Sequence, residues 1–133
     1  MSEPEHSVNL VAVVRAFCEA WQEPDMLAIL SMLSSDILYC NGPLPPLSGK
    51  QQVTRYLRQA GPFEKVKWDV LHIACTGDTV LTERVDIIVK NGRTISLPIM
   101  GAFQVKNGLI REWRDYFDLD SYRKQQTGEE QQE

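Results

Sequence analysis

Two carboxylates and one guanidinium are the groups in this chain best placed to do chemistry. Arg84 and Asp86 stand two residues apart in Thr82-Glu83-Arg84-Val85-Asp86, a run that alternates like a β-strand. Side chains on a strand alternate faces, so Arg84 and Asp86 point the same way. Ile88 continues that face as an apolar residue, while Glu83, Val85 and Ile87 take the other. Asp115 lies between Trp113 and Phe117 on one face of a later strand-like run, so it too is an acid on an apolar face. Unpaired burial costs roughly several kcal/mol per charge, so three such groups must find partners. Two acids in one dry pocket can differ in protonation. A shared Arg stabilises one as the carboxylate, while desolvation favours the neutral form of the other. One can then remove a proton while the other donates one. Tyr39 and Asn41 share a face of an earlier strand and can hold a water by hydrogen bonds. Such a set could hydrate a substrate that needs push and pull at once, such as a strained ether ring. Ile88, Leu97, Ile99 and Phe117 supply apolar walls for that substrate.

Helices come first among the elements that must position these groups. Leu10, Val13, Val14, Phe17, Cys18 and Trp21 recur at helical spacing after Ser7, a plausible N-cap. Residues 1–6 read as a frayed polar end. Glu23-Pro24-Asp25 breaks that helix and starts a second, with Met26, Leu27, Leu30 and Leu33 expected on its buried side. Asp36 to Asn41 reads as a short strand. The proline-rich Gly42-Pro43-Leu44-Pro45-Pro46 that follows is a stiff loop able to hold Tyr39 and Asn41 in place. Ser48 is expected to cap a third helix carrying Val53, Tyr56, Leu57 and Ala60. From Lys65 the period changes to alternation, with a turn at Gly77-Asp78 and hairpin signals at Asn91-Gly92 and Asn107-Gly108. Past Leu119 the composition turns polar, and residues 125–133 show no periodicity. The expectation is one α+β domain over residues 1–124 with a disordered tail at 125–133. A curved, mostly antiparallel sheet over three N-terminal helices leaves a conical cavity, a natural small-molecule pocket.

Hairpin arithmetic tests whether the charges meet. A two-residue turn at Asn91-Gly92 sets Arg84 opposite Ile99 and Asp86 opposite Leu97. A two-residue turn at Asn107-Gly108 would then put Asp115 on the wrong side of the sheet. A three-residue loop, Lys106-Asn107-Gly108, repairs this and sets Ile99 opposite Asp115 and Gly101 opposite Trp113. A bulge near Pro98 or Gly101 would act in the same way. Arg84, Ile99 and Asp115 then form a row across three strands, its ends about 9–10 Å apart, which Arg84 can largely span.

The totals narrow the function classes. The 133 residues are 43% apolar and 24% charged, which suits one soluble domain with one core. A net charge of −4 without a basic run argues against nucleic-acid binding. No apolar run is long enough to span a membrane and no signal-peptide pattern opens the chain. Cys18, Cys40 and Cys75 are odd in number and lack metal-like spacing, so reduced thiols in a cytoplasmic protein are expected. Neither a metal nor an organic cofactor is called for.

Blander roles fit each residue taken singly. Arg84 and Asp86 fit an exposed strand ion pair, and Asp115 fits a buried acid bonded to backbone. Asn41 before Gly42 fits the end of a strand. Trp68, Trp113 and His72 read as core or surface residues rather than ligand clamps or catalysts.

Four segments taken together are more specific. Tyr39-Cys40-Asn41-Gly42-Pro43-Leu44-Pro45-Pro46, Thr82-Glu83-Arg84-Val85-Asp86, Gly101-Ala102-Phe103-Gln104 and Trp113-Arg114-Asp115-Tyr116-Phe117-Asp118 resemble the limonene-1,2-epoxide hydrolase family, in order and with all five polar positions intact. The resemblance runs from about Leu10 to Asp118. It implies a cone-shaped fold like that of nuclear transport factor 2, a homodimer, and one-step hydrolysis of a small apolar epoxide to a vicinal diol without a cofactor. By matching positions, Asp115 resembles the base acting on water, Tyr39 and Asn41 the groups holding that water, Asp86 the acid on the epoxide oxygen and Arg84 the bridge between the acids. The tight Asn91-Gly92 loop and the short N-terminus depart from the family. A proton-shifting isomerase of ketosteroid-like substrates and a non-catalytic binder of hydrophobic ligands are the rival readings on the same fold.

Overall fold

The apolar stripe from Leu10 to Cys18 does form a helix, with Trp21 in the turn just past its end, and it lies against one face of a six-stranded sheet. The computed structural model describes the backbone of residues 3–128 and side chains from residue 5. Its elements in chain order are α1 (Glu3–Ala20), α2 (Met26–Ser31), β1 (Leu33–Asn41), β2 (Leu47–Ser48), α3 (Lys50–Ala60), β3 (Lys65–Thr76), β4 (Thr79–Lys90), β5 (Arg93–Lys106), β6 (Leu109–Tyr116) and α4 (Leu119–Thr127). The strand order is β2-β1-β6-β5-β4-β3. Among the described residues only the β1–β6 pairing is parallel, so the curved sheet is mixed and the fold is α+β.

Several helix ends differ from expectation. α1 begins at Glu3, so Ser7 lies inside the helix instead of capping it. Pro4 sits in the first turn, where its missing N–H leaves no intrahelical bond unmade. Asp25 is the N-cap of α2, its carboxylate accepting from the N–H of Leu27 at 3.1 Å and of Ala28 at 3.3 Å. α2 has only six residues and buries Ile29 and Leu30, whereas Leu27 is 73% exposed and Leu33 already belongs to β1. Gly49, not Ser48, caps α3, and the Ser48 N–H donates to Gln52 Oε1 at 2.6 Å.

A fourth helix replaces part of the expected tail. Asp118 caps it by accepting from the N–H of Asp120 at 3.0 Å and Ser121 at 3.2 Å, and Gly128 closes it. The expected boundary after residue 124 thus falls inside α4, while residues 129–133 lie outside the described residues. Gln125 ties α4 to β5. The Ser96 N–H donates to its Oε1 at 2.8 Å, and its Nε2 donates to the Ser96 carbonyl at 3.0 Å. None of the helix residues is fully buried, so these polar bonds share its attachment with the half-buried Leu119 and Tyr122, the latter edge-on to Phe117.

The β4–β5 register is the expected one, with Arg84 opposite Ile99 and Asp86 opposite Leu97. The β5–β6 register is not. Asn107 and Gly108 form a two-residue turn, with positive φ at both positions and Lys106 opposite Leu109. The shift comes from a bulge instead. Val105 pairs with Ile110 and Gln104 with Glu112, which leaves Arg111 as the extra residue on β6. Gly101 therefore faces Asp115 and Phe103 faces Trp113. Asp115 still reaches the inner face, two residues along β5 from the expected partner.

That inner face carries the core. Phe17 of α1 is fully buried and meets Trp21, Trp68, Phe103 and Trp113 edge-on, with centroids 5.1–6.2 Å apart. Edge-to-face pairs at such spacing add about 0.5–1.5 kcal/mol each beyond their area burial. This aromatic block is the rigid floor beneath the polar groups.

Candidate active site

Arg84 is fully buried, and all five of its donor protons have acceptors. Nε donates to Asp86 Oδ1 at 3.0 Å and Nη2 to Asp86 Oδ2 at 2.9 Å. Nη1 donates to Asp115 Oδ1 and Nη2 to Asp115 Oδ2, both at 3.2 Å. The last Nη1 bond goes to Thr82 Oγ1 at 3.1 Å. Trp68 lies under the guanidinium, 4.1 Å from ring centroid to Cζ. The strand ion pair of the bland reading is thus a buried three-membered bridge.

Gly101 explains how Arg84 crosses to Asp115. The row across the sheet runs Thr82, Gly101, Asp115 and Asn41, on β4, β5, β6 and β1. Gly101 leaves a gap in that row, and Arg84, one step along β4, leans into it. A Cβ at residue 101 would stand 2.4 Å from Arg84 Nη1.

Three charges in a dry site carry a net charge of −1 with both acids ionised, so a proton is favoured. Burial pushes Asp86 up to about 6, against the pull of Arg84 and with the push of Asp115. Burial also raises Asp115, opposed by Arg84 and by the Trp113 indole, whose Nε1 donates to Oδ2 at 3.0 Å. Burial works against the Arg84 charge, yet its two carboxylates raise it above its ordinary range and keep it cationic. Asp115 accepts three fixed bonds and Asp86 two, so Asp115 is the better held as carboxylate and Asp86 the better placed to carry the proton.

Tyr39 and Asn41 end β1 beside β6, where Asn41 pairs with Asp115 and Tyr39 with Trp113. The Tyr39 ring stacks on Trp113 with centroids 3.9 Å apart. Burial and the nearby Asp115 hold its phenol well above the ordinary range, so it acts as a neutral hydrogen-bonding group. The proline loop begins by locking onto β6, the Gly42 N–H donating to the Asp115 carbonyl at 2.8 Å. Asn41 Nδ2 donates to Tyr56 Oη at 2.8 Å.

A cavity of about 130 Å³ opens onto these groups. Tyr39, Asn41, Asp86 and Asp115 line it, and Arg84 lies behind the two acids. All four expected apolar walls, Ile88, Leu97, Ile99 and Phe117, line it as well. Pockets for drug-sized ligands run to about 300–1,000 Å³, so this one suits a compact guest. Trp68 and Trp113 are core residues, as expected from their pattern, yet both also form cavity wall and both touch the charges. Thr82, Gly101, Tyr56 and the α4 residues Leu119 and Tyr122 were not among the expected site residues. Thr82 had a signal, since it shares a strand face with Arg84 and Asp86. Tyr56 and Tyr122 had none, because their helices reach the cavity only through tertiary packing. His72 is exposed and bonds Glu83 on the outer face, away from this site. Among the described residues no three His, Cys, Asp or Glu side chains gather as a metal site requires, and no helix is long and apolar enough to cross a membrane.

Known proteins resemble this chain in sequence and in fold. Residues 8–127 match the family model of the limonene-1,2-epoxide hydrolase catalytic domain. The chain is 30% identical over 106 residues to epoxide hydrolase EphG of Mycobacterium tuberculosis, covering 80% of this chain and 71% of that protein. A solved M. tuberculosis LEH-like epoxide hydrolase superposes with a TM-score of 0.80 at 28% identity, over 90% of both chains. A putative polyketide cyclase from Xanthomonas campestris superposes with a TM-score of 0.79 at 22% identity, over 88% of this chain and 96% of that one. The last likeness is one of fold alone.

Proposed function

Because this chain belongs to the limonene-1,2-epoxide hydrolase family, we propose that it adds water to a compact apolar epoxide, cyclic and limonene-epoxide-like, to give a vicinal diol in one step. The observation that carries this reading is the single buried Arg84 fork shared by two cavity-lining carboxylates. Tyr39 and Asn41 hold a water against Asp115. Asp115 takes one proton from that water as its oxygen attacks a ring carbon. The carbon–oxygen bond of the ring breaks, and the departing oxygen takes the proton of Asp86. The two acids share one proton before and after the step, so the charge of the buried triad does not change. Arg84 stabilises whichever acid is ionised. Proton exchange with solvent after the diol leaves returns the proton to Asp86. No cofactor enters the scheme.

Neither rival gains an observation. A proton-shifting isomerase needs one base and gives the second acid and Arg84 no part. A non-catalytic binder gives no reason to bury three charges in an apolar wall, since such a triad is often no more stable than apolar residues in its place.

Oxygen-labelled water tests the proposal. With enzyme in excess and one turnover, the new diol oxygen should come wholly from solvent. Label arriving from a carboxylate would refute the one-step route, and no diol from a panel of graded epoxides would refute the class.

The outer sheet face supports the expected homodimer. Met100 is 49% and Tyr116 60% exposed, and they stand directly opposite each other in the β5–β6 register. Analytical ultracentrifugation should read twice the chain mass, and replacing Met100 with Glu should shift it toward one chain. A single-chain mass for the parent protein removes this assembly.

A further inference from the structure

We propose that Tyr56 is a positioning residue for this reaction, acting by anchoring the Asn41 amide with its oxygen toward the attacking water. The proposal rests on the hydrolase reading above and goes beyond it to a residue on α3.

An asparagine amide has two unlike ends, an N–H₂ that only donates and an oxygen that only accepts. Nothing in the shape of the amide decides which end faces a neighbour; its hydrogen bonds do. Asn41 is half-buried at the end of β1, and its Nδ2 donates to Tyr56 Oη at 2.8 Å. Oδ1 is the branch left to meet another donor. Tyr56 is in turn held: its ring meets Tyr39 edge-on with centroids 6.0 Å apart, and both rings line the cavity.

The attacking water explains why the end matters. Water has two protons and two lone pairs. One proton must go to Asp115, and one lone pair must stay open toward the ring carbon. The second proton then needs an acceptor, which Asn41 Oδ1 supplies. The second lone pair can accept from the Tyr39 hydroxyl. A flipped amide would aim Nδ2 at the water, compete for the attacking lone pair and leave the second proton without its acceptor. The Tyr56 hydroxyl can accept or donate, so it does not by itself bar the flip; it completes the productive arrangement, its oxygen taking Nδ2 while Oδ1 takes the second proton of the water. A phenylalanine there would keep the ring and lose that acceptor.

A double-mutant cycle reads this directly. Tyr56→Phe should lower kcat about tenfold, the worth of one ordinary hydrogen bond, with KM for the epoxide within about twofold of the parent. In an Asn41→Ala background the same change should have almost no effect, because there is no amide left to orient. An equal loss in both backgrounds means that Tyr56 acts on its own and overturns the proposal, as does full activity of Tyr56→Phe in the parent. The side-chain amide signal of Asn41, identified by its loss in Asn41→Ala, gives a second readout without substrate. It should exchange slowly with solvent in the parent and faster in Tyr56→Phe; equal exchange in the two also overturns the contact. Parent enzyme that hydrolyses no epoxide sinks the hydrolase reading, and this role with it, whatever the amide signal shows.

Discussion

Asp115→Asn and Asp86→Asn should each lower epoxide turnover by about a thousandfold or more while leaving the protein folded. Asparagine keeps the shape and one acceptor oxygen of aspartate, so the Arg84 fork keeps partners at both ends. Each change also takes the ionised triad from −1 to neutral, which removes a buried charge imbalance and works against unfolding. Activity and stability should therefore move separately, and near-normal turnover in either variant would end its assigned role. The two variants differ in their pH response. Asp86 titrates at about 6 because burial favours its neutral form. Parent kcat should fall as pH rises through that value, since the acid loses its proton, and fall again in acid as Asp115 is protonated. The stability sign follows from the same shift. The folded state binds the Asp86 proton more tightly than the unfolded chain, whose carboxyl titrates near 3.8. That stabilisation is complete below 3.8 and is lost as pH rises through about 6, a change on the order of 3 kcal/mol. Denaturant unfolding across this window should show a steeper decline in the parent than in Asp86→Asn, where the raised Asp115 alone remains.

The site was legible in the sequence wherever strand periodicity alone decides a face. Arg84 and Asp86 share a face because they are two residues apart, and the Asn91-Gly92 turn fixes their partners on β5. Asp115 needed one more fact, the shift between β5 and β6. Its direction was not readable, because a loop longer by one residue and a bulge on either strand all restore the same face. The bulge is at Arg111, and it sets Gly101 rather than Ile99 beside Asp115. The α4 helix was missed for a different reason. Its capping residues Asp118 and Gly128 are present, but Leu119 and Tyr122 are its apolar contacts and both are only half-buried, too few to make a hydrophobic period. Tyr56 read correctly as part of the α3 stripe, yet nothing local says that its hydroxyl meets Asn41, fifteen residues earlier in the chain.

Gly101→Ala should be the most damaging single methyl in the protein, with turnover down about a hundredfold or more and stability lower by roughly 2–4 kcal/mol. The added Cβ would stand 2.4 Å from Arg84 Nη1, 2.8 Å from Thr82 Oγ1 and 2.9 Å from Asp115 Oδ1. The end of a long side chain can usually swing away from such a clash. Arg84 has nowhere to go, being fully buried over Trp68 with every donor already engaged. Moving Nη1 breaks its bonds to Asp115 and Thr82 together and leaves buried partners unmatched. Asp115 cannot retreat either, since Trp113 holds its other oxygen and its backbone is paired on both sides, to Gly101 and to Asn41. The loss should appear in kcat more than in KM, because the methyl meets the bridge and Gly101 is not part of the cavity wall. It should also disturb the pH profile, since an acid that loses its share of Arg84 is harder to ionise. Steady-state kinetics across pH together with denaturant unfolding tests both claims. A Gly101→Ala enzyme with parental turnover and parental stability would mean that Arg84 can bridge the two acids from another conformation, and that the gap in the row does not set the relay.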